Sequence, residues 1–190
     1  MSSFLMFLVV IGLVIAFLIG IYNGLVQKKV ACEGAWANIE VQLKRRHDLI
    51  PNLVETVKGY AKHEQGTLDA VIKARNSAVS ASSSDSPAVQ AAAEGALSGA
   101  LRGVFALAEA YPDLKANQNF MQLQNELATT ETMISSSREE YNQAVQLYNT
   151  AIQQVPGNLV AGYAGFSKKE FFELSEQEKA VAEAAPKISF

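Results

Sequence analysis

No charged side chain occurs before Lys28. Between Phe4 and Tyr22 the run FLMFLVVIGLVIAFLIGIY is interrupted only by Gly12 and Gly20. As a helix rising ~1.5 Å per residue it measures about 28 Å, close to the ~30 Å hydrocarbon thickness of a bilayer. A helix buried in a protein core is rarely apolar on every face, so the run reads as a membrane span. A cleaved signal peptide would need a basic start, a shorter apolar stretch and a small-residue cleavage site. Met1-Ser2-Ser3 has no basic side chain, and the nearest A-x-A pattern, Ala35-Trp36-Ala37, lies beyond two lysines. A lipoprotein signal ending at Cys32 would need an apolar residue where Lys29 stands. The span is therefore expected to stay as an anchor in the lipid bilayer. Tyr22 suits the lipid–water interface, and Lys28 and Lys29 can reach headgroups.

Lys28, Lys29, Lys44, Arg45 and Arg46 all follow the span, and only the α-amino group precedes it. The positive-inside rule predicts a single-pass topology, N-terminus outside and the rest in the cytoplasm. The expected organisation is a tail over 1–3, a transmembrane helix over 4–22, a helical bundle over 23–163 and a C-terminal tail over 164–190. With 190 residues the chain has room for one domain and an anchor. Its net charge of −3 gives no electrostatic case for a nucleic-acid partner. One cysteine excludes an intrachain disulfide and a cysteine-based zinc site.

Beyond the span the signals are helical: there is no Asn-Gly or Asp-Gly hairpin turn and no sustained alternation. Cys32, Trp36, Ile39, Leu43 and Ile50 fall at helical spacing, which continues the anchor as one helix towards His47. Pro51 then predicts a kink or a fresh start, with Asp48 as N-cap. Leu53, Val54, Val57, Tyr60, Ala61, Leu68, Val71 and Ile72 describe an apolar stripe on a second long helix that fades near Ser82–Ser86. Ser86-Pro87 opens a third helix, to about Ala110, in which Gly95, Gly99 and Gly103 form a small-residue ridge for close packing. Phe120, Leu127, Ile134, Tyr141, Tyr148 and Val155 then recur every seven residues, with Leu123, Thr130, Ser137, Ala144 and Ala151 on the alternate seam. This predicts a long coiled-coil-like helix. Ser167 and Glu170 form a capping box for a short final helix, with Phe166 and Phe171 at the staple positions, and Pro186 ends any helix there. The fold class expected is all-α: an antiparallel bundle of three to four long helices continuous with one N-terminal transmembrane helix.

The chain resembles the LemA family. The likeness rests on VQLKRRHDLIPNLVETVKGYAKHE (Val41–Glu64), Tyr22-Asn23-x-Leu25-Val26, Ala35-Trp36 and YPDLKANQNFMQLQNEL (Tyr111–Leu127). Thr130-Glu131, Arg138, Tyr141-Asn142 and Tyr148-Asn149 extend it. Thr132-Met133-Ile134 departs from the Asn-Arg-Ile-like sequence expected there. The resemblance implies a bacterial membrane-anchored helical bundle with its domain in the cytoplasm, and no agreed reaction. It also implies a partnership with a membrane protease, because family members often neighbour such enzymes in genomes.

Chemistry is sparse. His63-Glu64 begins like a metalloprotease motif, but no second histidine follows at the required offset. No nucleophile elbow or phosphate-cradling loop occurs. Neither a catalytic residue, a cofactor, a metal nor a small-molecule substrate is expected. Lys44, Arg45 and Arg46 are expected to form ion pairs inside the bundle, with Asp48, Glu55, Glu131, Glu139 or Glu140 as partners. Tyr141 and Tyr148 are core positions, with Asn142 and Asn149 at the seam margin for hydrogen bonds between helices or protomers. The candidate interaction and packing residues are Trp36, Lys44, Arg45, Arg46, Asp48, Pro51, Asn52, Glu131, Arg138, Tyr141, Asn142 and Asn149. The function expected is a scaffold or adaptor that self-associates as a homo-oligomer or docks another membrane protein. A protease regulator, or an enzyme using Asp48, His63 and Glu64, is the alternative.

Overall fold

The helical periodicities fold into six helices in a computed structural model that describes residues 2–84 and 86–173. They are α1 (Ser2–Tyr60), α2 (Gln65–Ala81), α3 (Pro87–Glu109), α4 (Pro112–Lys115), α5 (Gln118–Gln153) and α6 (Gly157–Ala164). No strand occurs among the described residues, so the fold is all-α.

Pro51 neither stops nor restarts α1, and Asp48 is not an N-cap; both lie inside the helix. Proline removes one amide donor, which leaves the carbonyl four residues earlier, that of His47, without its helical partner. Arg75 of α2 supplies the missing donor, its Nε lying 3.2 Å from the His47 oxygen. Asp48 instead accepts from Lys44 Nζ at 2.7 Å, one turn back. The single stripe expected from Leu53 to Ile72 is divided between the end of α1 and α2. The polar stretch Lys62–Thr67 offers no apolar side chain to continue the first helix, and the chain turns there.

Packing divides the described residues into two units: those up to Ala37 with Glu139–Lys169, and those from Asn38 to Arg138 with residues 170–173. The second unit has a core of Ile50, Leu53, Val57, Val71, Leu97, Val104, Leu114 and Phe120, contributed by α1 to α5. In it Tyr60 pairs with Asn117 and Arg46 with Glu131, so α1 and α5 run antiparallel. In the first unit Trp36 lies against Tyr141, with ring centroids 5.1 Å apart, and Tyr22 against Phe166 at 5.7 Å. From Phe4 to Gly20 every side chain is exposed, and burial begins at Ile21 and Leu25.

Two further expectations need correction. The glycine ridge of α3 does not serve close packing at Gly99, where an added Cβ would meet nothing within 4 Å. At Gly103 it would make only ordinary contact with Thr67 Cγ2, at 3.9 Å. Gly99→Ala is accordingly expected to raise the unfolding free energy by about 0.5–1 kcal/mol, read from thermal or urea melts, because it only narrows the unfolded ensemble. Of the heptad, Phe120, Leu127, Ile134, Tyr141 and Tyr148 are buried, but Val155 lies beyond the end of α5 and is 78% exposed.

The tail does not start a helix at Ser167; residues 166–173 are not helical. The backbone groups a helix would need there are bonded to side chains of α5 (below). Residues 174–190, including Pro186 and Lys187–Phe190, lie outside the described residues.

Candidate functional site

Charge is concentrated at one place in the second unit. Arg46 and His47 on α1 and Glu94 on α3 are all at least nine-tenths buried. Isolated burial of such groups costs several kcal/mol per ion, so each must be paired and hydrogen-bonded. Arg46 Nη2 donates to Ser98 Oγ at 2.7 Å, and Nη1 lies 3.5 Å from Glu94 Oε2 and 3.1 Å from Glu131 Oε2. His47 Nε2 lies 2.7 Å from Glu94 Oε1. One guanidinium thus ties α1 to α3 and α5, and both Glu94 oxygens are occupied. A cavity of about 360 Å³ opens beside the cluster, lined by Arg46, Ser98, Arg102, Phe105, Gln124 and Glu131 among others.

The chemistry available to this cluster is cohesive. Ser98 Oγ is bonded to Arg46, not to the imidazole, so the serine and histidine are not arranged as nucleophile and base. Among the described residues no group of three or more His, Cys, Asp or Glu side chains is placed to hold a metal. Asp48, His63 and Glu64 are not brought together: Asp48 faces Lys44, Glu64 accepts from Tyr111 Oη at 3.3 Å, and His63 is exposed in the turn after α1. The Lys44 ammonium holds the Asp48 carboxyl below its ordinary value. Burial pushes the Cys32 thiol up, so it stays protonated and unreactive at neutral pH.

The first unit uses the end of α5 to hold the chain that follows α6. Tyr148 Oη donates to the Ser167 carbonyl at 2.9 Å. Asn149 Nδ2 donates to the Lys169 carbonyl at 2.9 Å, and its Oδ1 accepts the Lys169 amide at 3.0 Å. The asparagine amide thereby engages both polar groups of one backbone residue. Lys169 Nζ lies 3.7 Å from Glu33. In the second unit Arg138 stands 4.7 Å over the Phe172 ring, a cation–π geometry, with Nη2 3.5 Å from the Glu173 carbonyl.

The remaining sequence-derived candidates are dispersed. Lys28, Lys29 and Arg45 are exposed, and Asn142 is half-buried on α5. The Asn52 carbonyl accepts from Thr56 Oγ1. Sequence reasoning missed Glu94, Ser98 and Arg75. Glu94 carried a usable signal: it shares a helical face with Leu97 and Leu101, where a lone charge requires a buried partner. Gln90 lies one turn earlier on that face, fully buried, and neither of its amide atoms finds a hydrogen-bond partner among the described residues.

The profile of the LemA family matches residues 35–190. The chain belongs to the LemA family. The LemA run Leu43–Val54 thus contains Arg46 and His47 of the buried cluster, and Pro51, whose missing amide donor Arg75 replaces at the His47 carbonyl. Among individual proteins, magnetosome protein MamQ of Magnetospirillum gryphiswaldense is 26% identical, over 80% of this chain and 64% of its own length. Magnetosome protein MamQ 1 of Paramagnetospirillum magneticum is 27% identical, over 84% and 67%. Protein LemA of Metamycoplasma hominis is 26% identical, over 92% and 79%. The chain spans about two thirds of the length of the MamQ relatives it matches. The exposed apolar start of α1 and these relatives fit a membrane-anchored LemA protein.

Proposed function

We infer that this protein is a non-catalytic scaffold or adaptor, held in a bacterial inner membrane by residues 4–22, with its helical domain in the cytoplasm. The observation that carries the reading is α1 itself. One helix begins as a fully exposed apolar run and continues into a LemA domain whose buried charged groups are bonded to one another. The cluster provides rigidity, and the span provides a location. Five basic residues after the span favour the cytoplasmic side for the domain. The relatives named magnetosome protein MamQ and protein LemA support a membrane-associated helical protein. Exposed apolar side chains on the bundle, Val41, Met121 and Met133 among them, offer contact area to a second copy or to another membrane protein.

Crosslinking in native membranes, followed by mass spectrometry, tests the reading, with a variant lacking residues 1–27 as the unlocalised control. Predominant self-crosslinks that weaken in the control identify a self-assembling scaffold. One recurrent foreign membrane protein, such as a protease, identifies an adaptor. A protein that crosslinks to nothing and stays monomeric at every concentration removes both.

A further inference from the structure

Helix α6 presents its apolar side chains outwards. Leu159 and Tyr163, four residues apart and therefore on one face, are 70% and 98% exposed, while Gly157 and Ala161 on the opposite face are buried; Val155, in the turn before the helix, is 78% exposed. The pattern is inverted relative to a water-facing helix. The geometry is held firmly. A Cβ at Gly157 would collide with the Ala151 carbonyl, so only glycine fits that approach. Gly165 ends the helix at φ +74°, and the Phe166 amide then bonds back to the Ala161 carbonyl at 3.0 Å.

The height of α6 along α1 is given by Phe166, whose ring meets Tyr22, the residue closing the apolar run. Leu25, three residues on, is the first fully buried apolar side chain of α1. Charge follows the same boundary. No Asp, Glu, Lys or Arg occurs between Glu140 and Lys168, just as none occurs before Lys28. Basic residues return in pairs on both legs, Lys28-Lys29 and Lys168-Lys169.

We propose that α6 is a second membrane contact, an interfacial helix whose Leu159 and Tyr163 face enters the headgroup–acyl boundary beside the end of the span. This rests on residues 4–22 being the anchor. Phe166 brings the end of α6 beside the last residue of the apolar run, and Lys28 and Lys29, ~9–11 Å further along α1, are within reach of headgroup phosphates. With two contacts α1 cannot rotate freely about its own axis, so the first unit meets the bilayer in a defined orientation.

Fluorescence of the full-length protein in vesicles of phosphatidylcholine and phosphatidylglycerol, brominated near the upper end of the acyl chains, tests this. Tyr163→Trp and Leu159→Trp are compared with wild type, whose only tryptophan, Trp36, stands ~21 Å along α1 from Tyr22 and gives the baseline. Both variants are expected to lose about two-fold or more of the added emission to bromine, at the shallow depth of an interfacial helix. Phe17→Trp reports the anchor separately. If it is quenched while both α6 variants are quenched only by aqueous acrylamide, the anchor stands and α6 faces water, which overturns the proposal. Shielding of the α6 variants from both quenchers means that protein covers the face, and overturns it equally. An unquenched Phe17→Trp variant removes the anchor and, with it, this contact.

Discussion

Glu94→Ala is expected to lower the unfolding free energy by about 3–5 kcal/mol, since it leaves the Arg46 charge buried with only a half-exposed partner. His47 loses its 2.7 Å contact with the same carboxylate in the same step. The loss should come from burial, not from attraction between charges. The paired variant Arg46→Met with Glu94→Leu, which removes both ions at similar volume, is therefore expected to return to within about 1–2 kcal/mol of wild type. Urea unfolding of the detergent-solubilised full chain, followed by helical circular dichroism, measures both. A Glu94→Ala loss below about 1 kcal/mol would show the cluster to be hydrated and the packing argument to be wrong.

The second large effect concerns location. Removing residues 2–22 deletes fourteen Leu, Ile, Val and Phe side chains from the apolar run. On insertion scales of roughly 0.3–0.6 kcal/mol each, the run is worth about 4–8 kcal/mol in a bilayer. Carbonate extraction of membranes should then find the intact chain in the pellet and the shortened one in the supernatant. Retention of the shortened chain in the pellet would assign the attachment to some other surface. If Leu159→Asp with Tyr163→Asp then released it, α6 would be that surface. The helical signal of the shortened chain should change only by the residues removed, because no side chain from Phe4 to Gly20 is buried.

Much of the fold was legible because it depends on local periodicity. The apolar first helix, the Ser86-Pro87 start of α3 and the buried row Phe120, Leu127, Ile134, Tyr141 and Tyr148 follow from the pattern of residues along one helix. The errors arose where a local rule was answered from another helix. Pro51 is a helix breaker by its own chemistry, and Arg75 on α2 overrides that by donating to the freed carbonyl. Ser167 and Glu170 have the form of a capping box, and the Tyr148 and Asn149 side chains hold that backbone non-helical instead. Gly99 looked like a packing residue because spacing alone does not reveal whether a neighbour faces it.

The sequence by itself determined that this chain is helical, that its first helix is apolar on all sides, and that it belongs with the LemA proteins. Each of these depends on neighbours within a few turns or on a contiguous motif. Only the tertiary structure decided that Arg46 and His47 point inward at Glu94, and that Asn149 grips Lys169. It also placed Phe166, just after α6, against Tyr22. The physical reason is that partners for buried polar groups are selected by the packing of distant helices. The charges of Glu94, Glu131, Glu139 and Glu140 look alike along the chain until one of them is drawn out of water.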